Sequence, residues 1–168
     1  NPRDPISLPI NANKNFVELM KKPIDKWKIG FTSDFNLFHV DSNVVDKVSN
    51  TALLLRSAGA HVDEVRFNFK HTLDEIMFCW AWAISVDTAI DLVNWKQAGL
   101  DLVNDHLDEL PEEFIMFNEF ARKCDIFDMR VFNEIRTDIL DNFEDAFEQF
   151  DVIVSPTACC DPFPISNN

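Results

Sequence analysis

Phe150-Asp151-Val152-Ile153-Val154-Ser155-Pro156-Thr157 is a short apolar run of β-branched residues that ends at a proline. A run of this length and composition predicts a buried strand, and the proline predicts the turn that ends it. A second run, Trp27-Lys28-Ile29-Gly30-Phe31, has the same character at the other end of the chain. Both runs are therefore expected to be strands.

The sequence after the first strand predicts a helix and then a second strand. Asp41 offers an N-cap oxygen, and Gly59 is a natural C-terminal stop. Between them the apolar residues recur every three or four positions, at Val44, Val45, Val48, Ala52, Leu55 and Ala58. The partly alternating segment from His61 to Phe69 predicts the next strand. Strand, helix and strand within about 40 residues form a crossover unit with parallel strands.

The second half of the chain is predicted to be helical. Dense apolar spacing from Thr72 to about Gln97 indicates a long helix that is buried on more than one side, and Gly99 interrupts it. Pro111 with Glu112 and Glu113 is typical of a first helical turn, and two further helices are expected over Phe114 to Lys123 and Phe127 to Phe150. The fold class is therefore α/β, a mostly parallel sheet segment covered by helices in the order β-α-β-α-α-α-β. Residues 1–27, which contain four prolines, are expected to be an extended connecting arm with at most one helical turn near Asn15 to Met20, and residues 28–168 form the α/β region.

The composition is that of a folded protein with an acidic second half. The 168 residues are 46% hydrophobic and 26% charged, which argues against disorder. The net charge is −14, and residues 101–151 contain 16 acidic against 4 basic side chains. Such a surface repels a phosphate backbone, so we expect no nucleic-acid binding. It is either a solvated helix face or a docking surface for a basic partner.

Metal, membrane and disulfide chemistry are not indicated. Cys79, Cys124, Cys159 and Cys160 lack C-x-x-C spacing, which favours reduced thiols and a cytoplasmic location. There is no charged-then-apolar leader and no uninterrupted run of 18 apolar residues, so no membrane association is expected. His71 and Glu75 stand four apart but have no third ligand, and Asp87 and Asp91 are interpreted as a solvated face.

No catalytic motif stands in this chain. Its three glycines, Gly30, Gly59 and Gly99, are too few for a nucleophile elbow of G-x-S-x-G form, a phosphate loop or a dinucleotide fingerprint. Ser155 follows a strand, but a serine hydrolase also needs a base and donors for the oxyanion.

The order of the phrases resembles the later part of an amidase signature family hydrolase. Asn1-Pro2-Arg3-Asp4-Pro5 is followed by Lys28-Ile29-Gly30, by Val40-Asp41 before a helix, and by Gly59-Ala60-His61-Val62. Arg136 then precedes Asp151 to Thr157, and Asp161-Pro162-Phe163-Pro164-Ile165 closes the series. The resemblance implies hydrolysis of carbon–nitrogen amide bonds by a serine, a second serine in a cis peptide and a lysine, without a metal or an organic cofactor.

The resemblance also implies what is missing. The Gly-Ser-rich segment and the lysine have no matching positions, so the catalytic residues are expected outside this chain, upstream of Asn1, and the chain alone is expected to hydrolyse no simple amide. Its partners would be the missing N-terminal amidase portion and a small-molecule amide, with self-association if apolar surface lies uncovered. The predicted wall of the substrate pocket is the loop of Ser155, Pro156, Thr157 and Cys159, because ligands of α/β sheets bind beyond the carboxyl ends of strands. Arg136 is expected to pair with a neighbouring carboxylate such as Glu134 or Asp138, or with one from another helix, and not to contact the substrate. The alternative hypothesis is a noncatalytic acidic α/β interaction module.

Overall fold

A computed structural model describes residues 15–19 and 21–162, except for the side chains of Phe16 and Leu19. The strands are β1 (Lys28–Phe31), β2 (His61–Glu64) and β3 (Val152–Val154). The helices are α1 (Phe16–Leu19), α2 (Ser42–Ser57), α3 (Leu73–Gln97), α4 (Leu102–Asp105), α5 (Glu112–Ala121) and α6 (Ile126–Phe147), with a 3₁₀ turn at Leu107–Glu109. The predicted α/β class and its order are confirmed, and α4 and the 3₁₀ turn are additions that the sequence analysis missed. The proposed arm, residues 1–27, lies largely outside the described residues and stays a prediction.

The three strands form one parallel sheet in the order β2-β1-β3. Ile29 of the central strand lies opposite Val62 on one side and Val152 on the other. The two terminal runs of the chain are therefore neighbours in space. Asp151 fixes the start of this pairing, because its Oδ2 accepts a hydrogen bond from the Lys28 amide at 2.9 Å while its own amide donates to the Lys28 carbonyl at 2.8 Å.

Helix α2 connects β1 to β2 and covers the sheet. It begins after Asp41 and ends just before Gly59, whose φ of +104° is readily adopted only by glycine. Ala52 packs in the core with Ile29 and Val62. The expected side-chain cap is absent, since Asp41 occupies the N-cap position without a capping hydrogen bond from its carboxylate.

Strand β2 ends at Glu64, five residues before the predicted end at Phe69. Val65 still donates its amide to the Phe31 carbonyl of β1 at 2.8 Å. Pairing stops beyond it, because three amides of the following segment are bound by side chains and not by a neighbouring strand. The amide of Phe67 donates to Asn36 Oδ1 at 2.9 Å, that of Asn68 to Asn142 Oδ1 at 2.8 Å, and that of Lys70 to Asp138 Oδ2 at 2.8 Å. An extended segment bound in this way keeps its apolar alternation but pairs with no strand.

Helix α3 matches its predicted bounds because Thr72 and Glu75 form a capping box at its start. Its aromatic residues pack against the two other long helices of the second half. The ring centroids lie 6.0 Å apart for Phe78 and Phe120, and 4.5 Å apart for Trp82 and Phe132.

The prediction that α3 is buried on more than one side is wrong for this chain. Trp80 and Trp95 are each 52% exposed, and Ile90 and Val93 are about as open. By length and composition α3 could also cross a membrane, and only 17% of its apolar window is buried within the described residues. A helix that is apolar around its circumference but leaves large apolar side chains exposed lacks a partner for those side chains.

The remaining helices begin with clear signals. Asp125 caps α6 with its carboxylate, which accepts hydrogen bonds from the amides of Phe127 and Asp128. The Asp128 carboxylate accepts the Asp125 amide in turn, which completes a capping box. Pro111 stands at the N-cap of α5, one position before the first turn in which it was expected.

Candidate functional site at the carboxyl edge of the sheet

The predicted pocket wall lies in the loop directly after β3. Ser155 and Pro156 are half-buried, whereas Thr157 and Cys159 are exposed. Because all three strands run parallel, their carboxyl ends meet at one edge of the sheet, which we call the carboxyl edge and define by Thr32, Val65 and Ser155. The four predicted residues are thus brought to one place, and their role in binding stays a prediction.

The end of β1 contributes a buried residue that sequence reasoning missed. Thr32 is 3% exposed, and its amide donates to the carbonyl of Val154 at 3.1 Å. Its hydroxyl Oγ1 accepts a hydrogen bond from the Phe35 amide at 2.9 Å. Thr32 therefore connects the loop after β1 to the strand that carries the candidate wall.

That loop is held in an uncommon backbone conformation. Phe35 and Asn36 have φ values of +57° and +55°. The left-handed region is a genuine outlier for a bulky residue such as Phe and costs on the order of 1–3 kcal/mol. Such strain persists where the surroundings hold it in place, and it is found often at ligand sites.

Two contacts stabilise this conformation. The Phe35 ring packs against the rings of Phe67 and Phe143, with centroids 5.1 and 5.9 Å away. Asp34 Oδ1 accepts the Asn36 amide at 2.8 Å in a local turn. The polar turn residues Asp34 and Asn36 were the available signal, since Asn tolerates the left-handed region.

The start of α2 lies against the same loop. The amide of Asp41 donates to the carbonyl of Cys159 at 2.8 Å. Beyond the two adjacent cysteines, Asp161 accepts a hydrogen bond from Asn43 and lies 3.5 Å from Lys47 Nζ. The segment from Cys159 to Asp161 is therefore fastened at both ends to the first turns of one helix.

This arrangement can position a ligand but holds no complete catalytic group. Among the described residues, no hydrogen bond joins Ser155 to a basic side chain, and no group of three or more His, Cys, Asp or Glu side chains could hold a metal ion. His71 Nδ1 lies 3.6 Å from Glu75 Oε2 as a surface pair. The pKa of the Glu75 carboxyl is lowered, mainly by the hydrogen bond from the Thr72 amide.

Arg136 does not form the ion pair that was expected for it. Its guanidinium lies over the Phe132 ring, 5.3 Å from the centroid, and none of the ion pairs within the described ranges involves it. Glu134 is instead bound by Arg130 at 2.8 Å, one helical turn earlier on the same helix. The Arg136 charge is close enough to Cys79 to act on the thiol, whose pKa is nevertheless raised because burial disfavours the thiolate.

A separate groove of about 580 Å³ lies beside α6, away from the carboxyl edge. Lys70, His71, Arg130, Glu134 and Asp138 are among the side chains that line it. It brings both signs of charge together and contains none of the four predicted wall residues.

Comparison with known proteins shows what the chain is similar to. It is 24% identical over 162 residues to an acylamidase of Rhodococcus erythropolis, a match that covers 96% of this chain and 32% of the relative. It is 23% identical over 172 residues to a glutamyl-tRNA(Gln) amidotransferase subunit of Heliobacterium modesticaldum, covering 92% of this chain and 34% of that protein.

A solved structure shares the fold. A bacterial aryl acylamidase of the amidase signature enzymes superposes with a TM-score of 0.88 at 23% identity, over 97% of this chain and 33% of that one. The chain thus spans about a third of the length of the relatives it matches.

These matches confirm the resemblance on which the sequence analysis depended, and they do not favour the alternative of an acidic interaction module. The family model described as Amidase matches residues 1–168. The chain therefore belongs to the Amidase family.

Proposed function

We propose that this chain is the scaffold portion of an amide hydrolase whose reaction centre, a serine, a cis-peptide serine and a lysine, lies on the part of the protein that this chain does not contain. The observation that carries the proposal is the match of the Amidase family to all of residues 1–168, in a chain that spans about a third of its relatives. In this mechanism a neutral lysine takes the proton through the bridging serine, and backbone amides hold the oxyanion. No metal or organic cofactor is required.

The contribution of this chain is the carboxyl edge. The loop of Ser155, Pro156, Thr157 and Cys159 forms one wall of the pocket for a small-molecule amide. Support comes from its position beyond the end of a parallel strand, from the hydrogen bond of Thr32 to Val154 just before it, and from that of Asp41 to Cys159 within it. A wall fastened in this way stays in place when substrate binds, which favours productive orientation.

The remaining portion of the amidase is the principal partner. It would cover the open side of α3, where Trp80, Ile90 and Trp95 are about half exposed. Without that cover we expect this chain to self-associate, because apolar patches on a free surface drive association. We propose no nucleic-acid or membrane partner. The four free cysteines support a cytoplasmic location.

The test compares this chain with the full polypeptide encoded by its gene. A chromogenic anilide such as 4-nitroacetanilide reports amide hydrolysis, and a sulfonyl fluoride labels an activated serine. We expect hydrolysis and labelling by the full polypeptide and neither by residues 1–168 alone. Turnover by residues 1–168, or a full polypeptide that neither hydrolyses amides nor reacts with the sulfonyl fluoride, would contradict the proposal.

A matched pair of substitutions tests the wall. Thr157→Val removes an exposed hydroxyl from the loop at constant shape, and Thr137→Val removes one that lines the separate groove beside α6. In the full polypeptide Thr157→Val is expected to lower kcat/KM about threefold to tenfold, the worth of about one hydrogen bond, while Thr137→Val leaves it unchanged. If the two variants have the same kcat/KM, the substrate does not contact Thr157 and binds elsewhere.

A further inference from the structure

Two adjacent cysteines stand at the carboxyl edge with free thiols. Cys159 and Cys160 are both exposed, whereas Cys79 is buried and Cys124 is half-buried. The pair lies in the segment that α2 holds at both ends, through the Asp41 amide on the Cys159 carbonyl and through Asn43 and Lys47 on Asp161. Two accessible thiols on consecutive residues thus lie in a loop of restricted conformation.

We propose that Cys159 and Cys160 form a reversible vicinal disulfide, which makes this loop a two-thiol redox site. The site is a property of the loop itself and does not depend on the amide-hydrolase proposal. Its oxidant is a low-molecular-weight disulfide such as glutathione disulfide.

The atoms and electrons of the step balance through two exchanges. One cysteine thiolate attacks glutathione disulfide, forms a mixed disulfide and expels one glutathione thiolate. The neighbouring thiolate then attacks the protein sulfur of the mixed disulfide, closes the ring and expels the second glutathione. The pair loses two protons and two electrons, and the oxidant becomes two glutathione thiols.

Backbone geometry makes this bond labile. Consecutive Cα atoms lie about 3.8 Å apart across a trans peptide, whereas disulfides usually join Cα atoms about 4.4–6.8 Å apart. The ring is therefore strained, and strained exposed disulfides are reduced more easily than structural ones.

The two other cysteines are poor competitors for the oxidant. Burial raises the pKa of the Cys79 thiol and that of the Cys124 thiol, and at Cys124 the charges of Asp128 and Asp125 act in the same direction. Less thiolate means slower exchange. Selectivity therefore follows from position: the exposed pair reacts first.

The experiment exposes the folded 168-residue chain to excess glutathione disulfide, stops exchange with acid and measures the intact mass and the mass of the peptide that contains both cysteines. We expect a loss of two hydrogens confined to that peptide and its reversal by excess reduced glutathione. Cys159→Ser and Cys160→Ser should each retain one glutathione, because the resolving thiol is gone. Cys124→Ser is the matched control and should close the ring as the unchanged chain does.

Several results would contradict the vicinal disulfide. Two glutathione adducts retained on the unchanged chain would show that the neighbouring thiols do not resolve the mixed disulfide. A disulfide between two copies of the chain would also overturn the proposal. So would an unchanged chain that keeps four free thiols under conditions in which Cys160→Ser carries glutathione. Circular dichroism of the serine variants confirms that each is folded, and both substitutions lie at exposed loop positions.

Discussion

Gly30 in the centre of β1 provides a quantitative test of how the sheet is packed. A Cβ added at this position would lie 3.0 Å from two ring carbons of Phe150 and 3.2 Å from Val65 Cγ1. Carbon atoms pack best about 3.5–4.0 Å apart, so the ring must move for alanine to fit. Glycine is therefore required here by the close approach of an aromatic ring and not by backbone conformation.

The expected cost of Gly30→Ala follows from two opposing terms. Overpacking of a core costs about 1–3 kcal/mol. Replacement of glycine also restricts the unfolded chain and returns about 0.4–1 kcal/mol. The free energy of unfolding should therefore fall by about 1–2 kcal/mol, which lowers the urea midpoint by roughly 0.5–1 M for a typical slope.

A double-mutant cycle isolates the contact. Phe150→Leu removes the ring that Gly30→Ala would strike, so the cost of the alanine should shrink in the leucine background, with a coupling of about 1 kcal/mol. Gly99→Ala is the control, because nothing lies within 4 Å of its added Cβ and its φ of +96° alone makes alanine unfavourable. The cost of Gly99→Ala should be the same whether residue 150 is Phe or Leu. If the two alanine substitutions respond alike to Phe150→Leu, the packing argument is refuted.

Three further predictions concern the helices. Thr72→Ala removes the capping box of α3 and should cost about 1 kcal/mol by thermal unfolding, whereas Thr72→Ser should retain most of it. Asp138 is 3% exposed and accepts the Lys70 amide, so Asp138→Ala should cost about 1–3 kcal/mol and speed hydrogen exchange at Lys70, while Asp141→Ala, on an exposed position, should do neither. Glu109 accepts a hydrogen bond from His106 and raises the pKa of that imidazole. A raised folded-state pKa means that the protonated imidazole stabilises the fold fully below the unfolded value of 6.5, and that this stabilisation is lost as pH rises through the folded-state pKa. The difference in Tm between the unchanged chain and His106→Asn should therefore narrow as pH rises. A difference that stays constant with pH would contradict the prediction.

The sheet could be predicted from the sequence because its signals are local. The apolar runs at Ile29 and Val152, and the stop at Gly59, each act within a few residues, and the structure confirms the elements they predicted. The end of β2 could not be predicted, because it depends on Asn36, Asn142 and Asp138, whose side chains come from distant parts of the chain.

The candidate site shows the same division. The loop at Ser155 was identified from the strand that precedes it and from the family resemblance. Thr32, Phe35 and Asn36 were missed, because their importance arises from a left-handed backbone and from contacts to β3 and α6 that no local pattern encodes. The ion pair assigned to Arg136 was wrong because Arg130 binds Glu134 and because Asp138 is buried, where it accepts the Lys70 amide.

The described part of the chain distributes its burial unevenly, and this has consequences for its dynamics. The sheet layer has its own core, in which Ile29 and Val62 are 3% and 4% exposed, and a second core cluster forms around Phe67 and Ala146. Helices α3 and α5 pack mainly on each other through aromatic edges and leave Trp80 about half exposed. Segments with few buried apolar contacts open at lower free energy than the core. The α3–α5 pair should therefore exchange its amide hydrogens before the sheet does.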